Sequence, residues 1–251
     1  MAQKKKIVVA NWKMNPTTLK EAQELAASIK KTAAKATNVK TIICAPFIYI
    51  PFLISRSRVE IGAQDVFYKE LGSYTGEISA LQLRNLGATH VIIGHSERRN
   101  LGENDNDVAE KVLKALANDL TPIVCVGEKT HDSEGAYLSI IGDQIRKALS
   151  LIKKTEIWRV ILAYEPIWAI GATEAMAAHD LYQMSLFIKK ILLDEYGKSA
   201  VSGVAILYGG SVDVQNAREI VVKGNVDGLL VGRESLNIEH FGELIKSVNI
   251  G

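Results

Sequence analysis

Eight short apolar runs, each followed by a stretch with helical periodicity, constrain the fold of this chain more than any other feature. The runs fall at residues 6–11, 39–45, 59–64, 90–94, 121–127, 158–164, 202–208 and 226–231. They are continuous rather than alternating, as expected of parallel strands buried on both faces. Helical spacing of apolar residues follows at 17–34, 47–55, 79–86, 106–117, 133–153, 177–196, 213–223 and 239–248, with a short extra turn from Ser96. Thr18 and Glu21 have capping-box spacing, and Gly87, Gly197 and Gly224 stand just past three predicted helix ends. Eight right-handed βα units in succession close naturally into an α/β (β/α)8 barrel, eight parallel strands with outer helices. An open doubly wound sheet usually carries a glycine-rich turn after its first strand, and Asn11-Trp12-Lys13-Met14-Asn15 is nothing like one. No linker or break in composition interrupts the pattern, so residues 1–251 read as a single barrel domain.

Composition excludes several classes of function. A hydrophobic fraction of 47% and a charged fraction of 23% suit a soluble globular protein. The net charge of +2 argues for neither nucleic acid nor an acidic membrane surface as partner. No apolar stretch approaches the ~20 residues of a membrane span. Lys4-Lys5-Lys6 leads straight into the first strand without a signal-peptide core, so a cytoplasmic location is expected. Cys44 and Cys125 lie inside strand runs and are expected to be buried free thiols. No set of residues has metal-ligand spacing, and no nucleophilic Ser or Cys is read beside a His and an acid. The chemistry is therefore expected to need no metal, no cofactor and no covalent intermediate.

In a parallel barrel every strand ends at the same pole, and sites are built there. The first strand delivers Asn11 and Lys13, the fourth His95, the sixth Glu165, the seventh Gly209-Gly210-Ser211 and the eighth Gly232-Arg233. Pro166 cannot continue the ladder, so Glu165 marks a strand tip. The apolar stretch Ile167-Trp168-Ala169-Ile170-Gly171 suits a lid that keeps water out. Taken alone, that segment is equally consistent with a Glu that caps a helix or is solvated at the rim. Lys13, between Trp12 and Met14, reads as half-buried and in need of an anion. His95 opens a helical turn, whose N-terminus disfavours added positive charge and keeps an imidazole neutral. Glu97, Arg98 and Arg99 read as structural ion-pair formers. Two glycines before a helix expose backbone N–H groups that can hold phosphate, and Val231-Gly232 repeats the arrangement. A carboxylate base, a neutral histidine donor and a lysine beside a phosphate site suit proton abstraction next to a carbonyl, through an enediol.

The stretches 11–15, Gly62-Ala63-Gln64-Asp65-Val66, Tyr74-Thr75-Gly76-Glu77-Ile78-Ser79, Ile93-Gly94-His95-Ser96-Glu97-Arg98-Arg99, Cys125-Val126-Gly127-Glu128, 164–171 and Tyr208-Gly209-Gly210-Ser211-Val212 occur in order and at family spacing. On them the chain resembles the triosephosphate isomerase family over essentially its whole length. The resemblance implies a TIM barrel and interconversion of dihydroxyacetone phosphate and glyceraldehyde 3-phosphate, in glycolysis and gluconeogenesis. It implies Glu165 as the base and His95 as the electrophile, a pairing of which this family is a standard illustration. Lys13 and Asn11 would hold the substrate and its developing charge. Backbone N–H groups of Gly171, Ser211 and Gly232, with neighbouring Arg233, would grip the phosphate. The family is usually a homodimer, so loop 65–77 is expected to plug into a second copy, its tip Thr75 reaching the partner's site. Two departures stand out. Ala172-Thr173-Glu174-Ala175-Met176 places an acid where the family's lid commonly has a lysine, and Arg233 replaces a residue that is commonly small. The first keeps open an impaired or non-catalytic phosphosugar-binding barrel with an altered lid. An aldolase or synthase would want a Schiff-base lysine deep on a middle strand, and none is present.

Overall fold

In the computed structural model, which describes residues 4–170 and 175–250, the strands form one closed all-parallel barrel in sequence order. They are β1 Lys6–Asn11, β2 Val39–Cys44, β3 Glu60–Ala63, β4 His90–Ile93, β5 Thr121–Val126, β6 Ile161–Tyr164, β7 Ala205–Tyr208 and β8 Gly228–Val231. The barrel closes where β8 pairs with β1, Ile7 opposite Gly228 and Ala10 opposite Val231. Around it run α1 Leu19–Ala33, α2 Ile50–Leu53, α3 Ala80–Asn85, α4 Ser96–Asn100, α5 Asp105–Ala117, α6 Ala136–Ala148, α7 Ala178–Tyr196, α8 Lys198–Gly203, α9 Ala217–Lys223 and α10 Ile238–Ser247. Among the described residues no helix is long and apolar enough to cross a membrane.

Each strand serves two cores, because successive side chains point to opposite faces. Ile7 and Val9, Ile42 and Cys44, Ile123 and Cys125 fill the barrel interior. Val8, Ala10, Ile43 and Val124 face outward and join a second cluster with the helices. Both faces are dry, which explains why the runs carry no polar alternation. In α1 the buried residues Ala22, Leu25, Ala26, Ile29 and Ala33 recur at three- and four-residue intervals. Burying a side chain the size of Leu25 or Ile29 contributes roughly 1.5–3 kcal/mol. The Thr18–Glu21 capping box forms with both of its arms, and Ser79–Gln82 and Asn104–Asp107 make the same motif before α3 and α5.

Several boundaries differ from the sequence expectation, each for a local reason. Trp158 and Arg159 belong to a 3-10 turn, Lys154–Arg159, and not to β6; Trp158 is 64% exposed. The Arg159 guanidinium ties that turn to the Leu116 carbonyl, Asp119 and Glu156, outside the barrel. The long helix expected over 133–153 is only α6, since the Asp132 carboxylate accepts from the amides of Glu134, Ala136 and Tyr137 and sets its start. Asp213 likewise takes the amides of Gln215 and Asn216 in a turn, so α9 begins at Ala217. Residues 202 and 203, expected in β7, end α8 instead. Loop 65–77 is anchored at its base by Asp65, which binds Lys111 at 2.7 Å and Arg98 at 2.8 Å. Phe67 packs between the rings of Tyr68 and Tyr74.

The pole where the strands begin carries a polar cluster. Lys40 Nζ is 3.1 Å from Glu60 Oε1, and Glu60 Oε2 accepts from Thr89 Oγ1 at 3.2 Å and lies 3.3 Å from His90 Nδ1. His90 is buried, and burial first and the Lys40 ammonium second push its pKa from 6.5 to about 3. Glu60 would favour a charged ring but is already neutralised by Lys40. The unfolded chain takes up this proton near pH 6.5 and the folded chain only near 3. Stability is therefore complete above the unfolded value and falls as pH drops between the two, by up to about 1.4 kcal/mol per pH unit. His90→Gln is expected to flatten this part of the stability–pH curve in urea melts between pH 6 and 4. Parallel curves for the two proteins would contradict it.

Candidate active site

At the opposite pole a cavity of about 400 Å³ is lined by Asn11, Lys13, His95, Glu165, Ser211, Gly232 and Arg233. Residues from the ends of β1, β4, β6, β7 and β8 thus meet, although they are spread over most of the chain. Of the residues singled out in the sequence, Gly171 lies outside the described residues. So do Ala172, Thr173 and Glu174 of the unusual lid segment. Ala175 lines the cavity, and Arg233 is solvent-exposed at its edge.

Glu165 and His95 are 3% and 6% exposed, and His95 Nε2 lies 3.2 Å from Glu165 Oε1. His95 is the N-cap of α4, and its Nδ1 accepts the Glu97 N–H at 3.1 Å. That bond requires a lone pair on Nδ1, so the single proton of the neutral ring is assigned to Nε2. The imidazole therefore aims an N–H into the cavity. Glu97 does a second job there, its Oε1 binding Lys13 Nζ at 2.6 Å. Lys13 has a left-handed backbone, φ 53, a conformation that costs a residue with a Cβ roughly 1–2 kcal/mol. Two amide side chains hold it there: the Lys13 N–H donates to Asn11 Oδ1 at 3.1 Å, and Gln64 Nε2 donates to the Lys13 carbonyl at 2.8 Å. The neighbouring arginines are structural, as expected, Arg98 pairing with Asp65 and Arg99 with Asp105 at 2.6 Å.

Two glycines make the seat of the carboxylate. The Glu165 N–H extends the β5–β6 ladder by bonding the Val126 carbonyl at 2.8 Å. A Cβ on Gly127 would lie 1.8 Å from the Glu165 carbonyl oxygen, and one on Gly209 would lie 2.8 Å from Glu165 Cγ. Cys125, a buried free thiol as expected, also faces Glu165. Burial first, then the carboxylate's charge and hydrogen bond, push its pKa well above the ordinary thiol range, so it stays a neutral donor.

The sequence reading gave no fastening role to the side chains that hold the apolar stretch after Glu165, and expected only the Ser211 backbone N–H to act, on phosphate. Buried Glu128 accepts through one oxygen from Tyr164 Oη at 3.0 Å, Trp168 Nε1 at 2.7 Å and His131 Nδ1 at 3.3 Å. Tyr208 Oη accepts the Met176 N–H at 3.0 Å, and Ser211 Oγ donates to the Ala169 carbonyl at 2.8 Å. Both described flanks of the stretch are thus tied to the barrel rim. The sequence signal for Glu128 was its place directly after the fifth strand, in the stretch Cys125-Val126-Gly127-Glu128 that carries the family resemblance. Among the described residues no group of three or more His, Cys, Asp or Glu side chains could hold a metal ion.

A buried carboxylate facing a neutral imidazole, with an ammonium beside them, defines a site for general acid–base chemistry on a small anionic molecule at the mouth of a parallel barrel. A family model described as triosephosphate isomerase matches residues 6–248. Curated relatives named triosephosphate isomerase are similar over nearly their full length. One from Dehalococcoides mccartyi is 42% identical over 249 residues, 97% of this chain and 96% of the relative. One from Porphyromonas gingivalis is 40% identical over 252 residues, 97% and 99% of the two chains. One from Moorella thermoacetica is 39% identical over 244 residues, 95% and 97%. The chain belongs to the triosephosphate isomerase family.

Gly209→Ala is expected to push the Glu165 side chain off its position. Displacement by about 1 Å can cost roughly 100-fold in turnover, so a loss of at least ~10-fold is expected while the thermal midpoint stays near wild type. Undiminished turnover in the folded variant would show that the carboxylate does not depend on this seat.

Proposed function

We propose that this chain is an aldose–ketose isomerase that interconverts dihydroxyacetone phosphate and D-glyceraldehyde 3-phosphate, in glycolysis and gluconeogenesis. The observation that carries the reading is the 3.2 Å contact between His95 Nε2 and Glu165 Oε1, in a cavity that Lys13 and Asn11 also line, within a chain of this family. Glu165 removes a proton from the carbon next to the carbonyl. The C–H electron pair becomes the C=C bond, and the carbonyl π pair moves onto oxygen. The His95 Nε2–H donates to that oxygen, while the Lys13 ammonium and the Asn11 amide stabilise its charge. Protonated Glu165 then returns its proton to the former carbonyl carbon, while the proton of the second hydroxyl passes by way of His95 to the first oxygen, so that the second oxygen becomes the new carbonyl and the first a hydroxyl. A positioned base supplies roughly 10²–10⁴-fold. No step calls for a cofactor.

The phosphate is held by backbone N–H groups of Gly171, Ser211 and Gly232, with Arg233 beside them. The glycine-rich rim of the same cavity, where Gly210, Ser211 and Gly232 stand, supports this. Residues 1–251 act as one domain, a reading supported by the pairing of β1 with β8, which joins the two ends of the chain. The protein works as a cytoplasmic homodimer through loop 65–77, with Thr75 at the tip. Met14, Leu71 and Leu101, 93%, 84% and 78% exposed, are the kind of surface such a partner would cover.

Glu165→Asp draws the carboxylate back by one methylene. In a coupled assay with glyceraldehyde 3-phosphate, kcat is expected to fall by roughly 100-fold with KM little changed. Equal turnover would reject Glu165 as the base. For the dimer, sedimentation should show two copies in the wild type and a monomer of much lower turnover in Thr75→Arg. A fully active wild-type monomer would reject the assembly.

A further inference from the structure

Gln144 lies on α6, and nothing in its sequence surroundings marks it. Its side-chain amide nevertheless makes two hydrogen bonds to a single residue. The Gly127 N–H donates to Gln144 Oε1 at 2.8 Å, and Gln144 Nε2 donates to the Gly127 carbonyl at 3.1 Å. A primary amide carries a donor and an acceptor side by side, so this pairing imitates a neighbouring strand. It occurs where it is needed, because β5 has ended at Val126 and the main-chain groups of Gly127 require a partner.

Gly127 is also the residue against which the Glu165 main chain rests, with no room for a Cβ between them. The bonds on either side run from the Glu165 N–H to the Val126 carbonyl at 2.8 Å and from the Ile167 N–H to the Glu128 carbonyl at 3.0 Å. Gly127 stands between those two acceptors. Any shift of it therefore moves the segment that carries the carboxylate.

We infer that Gln144 is a positioning residue for Glu165: its amide locks the Gly127 main chain, and Gly127 in turn fixes the carboxylate relative to His95. This rests on Glu165 acting as the base. Gln144 itself reaches neither the cavity wall nor the reacting atoms.

Gln144→Met keeps the length of the side chain and removes both hydrogen bonds. The expected result is a fall in kcat of roughly ten-fold at unchanged KM, since a displaced base impairs the proton transfer and leaves phosphate binding intact. In a Glu165→Asp background the same substitution should cost less than about two-fold, because the carboxylate is already out of place. Wild-type kcat in a folded Gln144→Met protein overturns the inference, and so does an equal fold-loss in both backgrounds. If Gln144→Met does not fold, Gln144→Glu decides. Its carboxylate still accepts the Gly127 N–H but repels the carbonyl, so kcat should drop at constant KM, and undiminished kcat overturns the inference. Glu165→Asp alone keeps the two ideas separable: full activity there removes the base and the positioning role with it, whereas a large loss there with no effect of Gln144 removes only the latter.

Discussion

The pairing of β8 with β1 is what the site depends on. An open sheet of the same strands would leave Asn11 and Gly232 at opposite edges. Closure puts Ala10 beside Val231, and the residues just beyond them face one cavity. Because all strands are parallel, every polar residue that follows a strand emerges at the same pole. The two apolar layers, inside the barrel and between barrel and helices, make that geometry stiff. Small side-chain displacements at the rim are then resisted by the whole ring.

Within that frame one short helix does much of the electrostatic work. Glu97, in the first turn of α4, gives its amide to His95 and its carboxylate to Lys13. The first contact fixes which imidazole nitrogen carries the proton. The second holds a cation at the wall of the same cavity. Glu165 completes the set from the other side, on a segment that only glycine at 127 and 209 can accommodate. Charge and shape therefore converge on the same small volume from β4, β5, β6 and β7.

Much of this was legible in the sequence. The eight apolar runs identified the barrel, because continuous hydrophobicity is what two buried faces require. The strand-end residues Asn11, Lys13, His95 and Glu165 do meet, since strand direction alone assigns them to one pole. Local competition for backbone amides hid other features. Asp132 and Asp213 set the starts of α6 and α9 through side-chain bonds that hydrophobic spacing does not register. Trp158 looked like a strand residue because it is apolar, but Arg159 holds its segment on the surface. The bonding roles of Gln144 and Glu128 were not legible for a related reason. Their partners are distant in sequence, and a polar residue on a helix or after a strand carries no sign of what it will bond. The left-handed turn at Lys13 was equally hidden, as lysine is not a residue that favours it.

That turn has a consequence for how the molecule can change. A barrel shaped only for durability would place glycine or asparagine at position 13, since either adopts this backbone more easily. Lysine is kept there against its own preference, clamped by Asn11 and Gln64. Gln64 is thus coupled to the cation through the main chain that carries it. Drift at position 64 would first release the main chain beneath the ammonium and only afterwards disturb the chemistry, so these two positions should vary together or not at all.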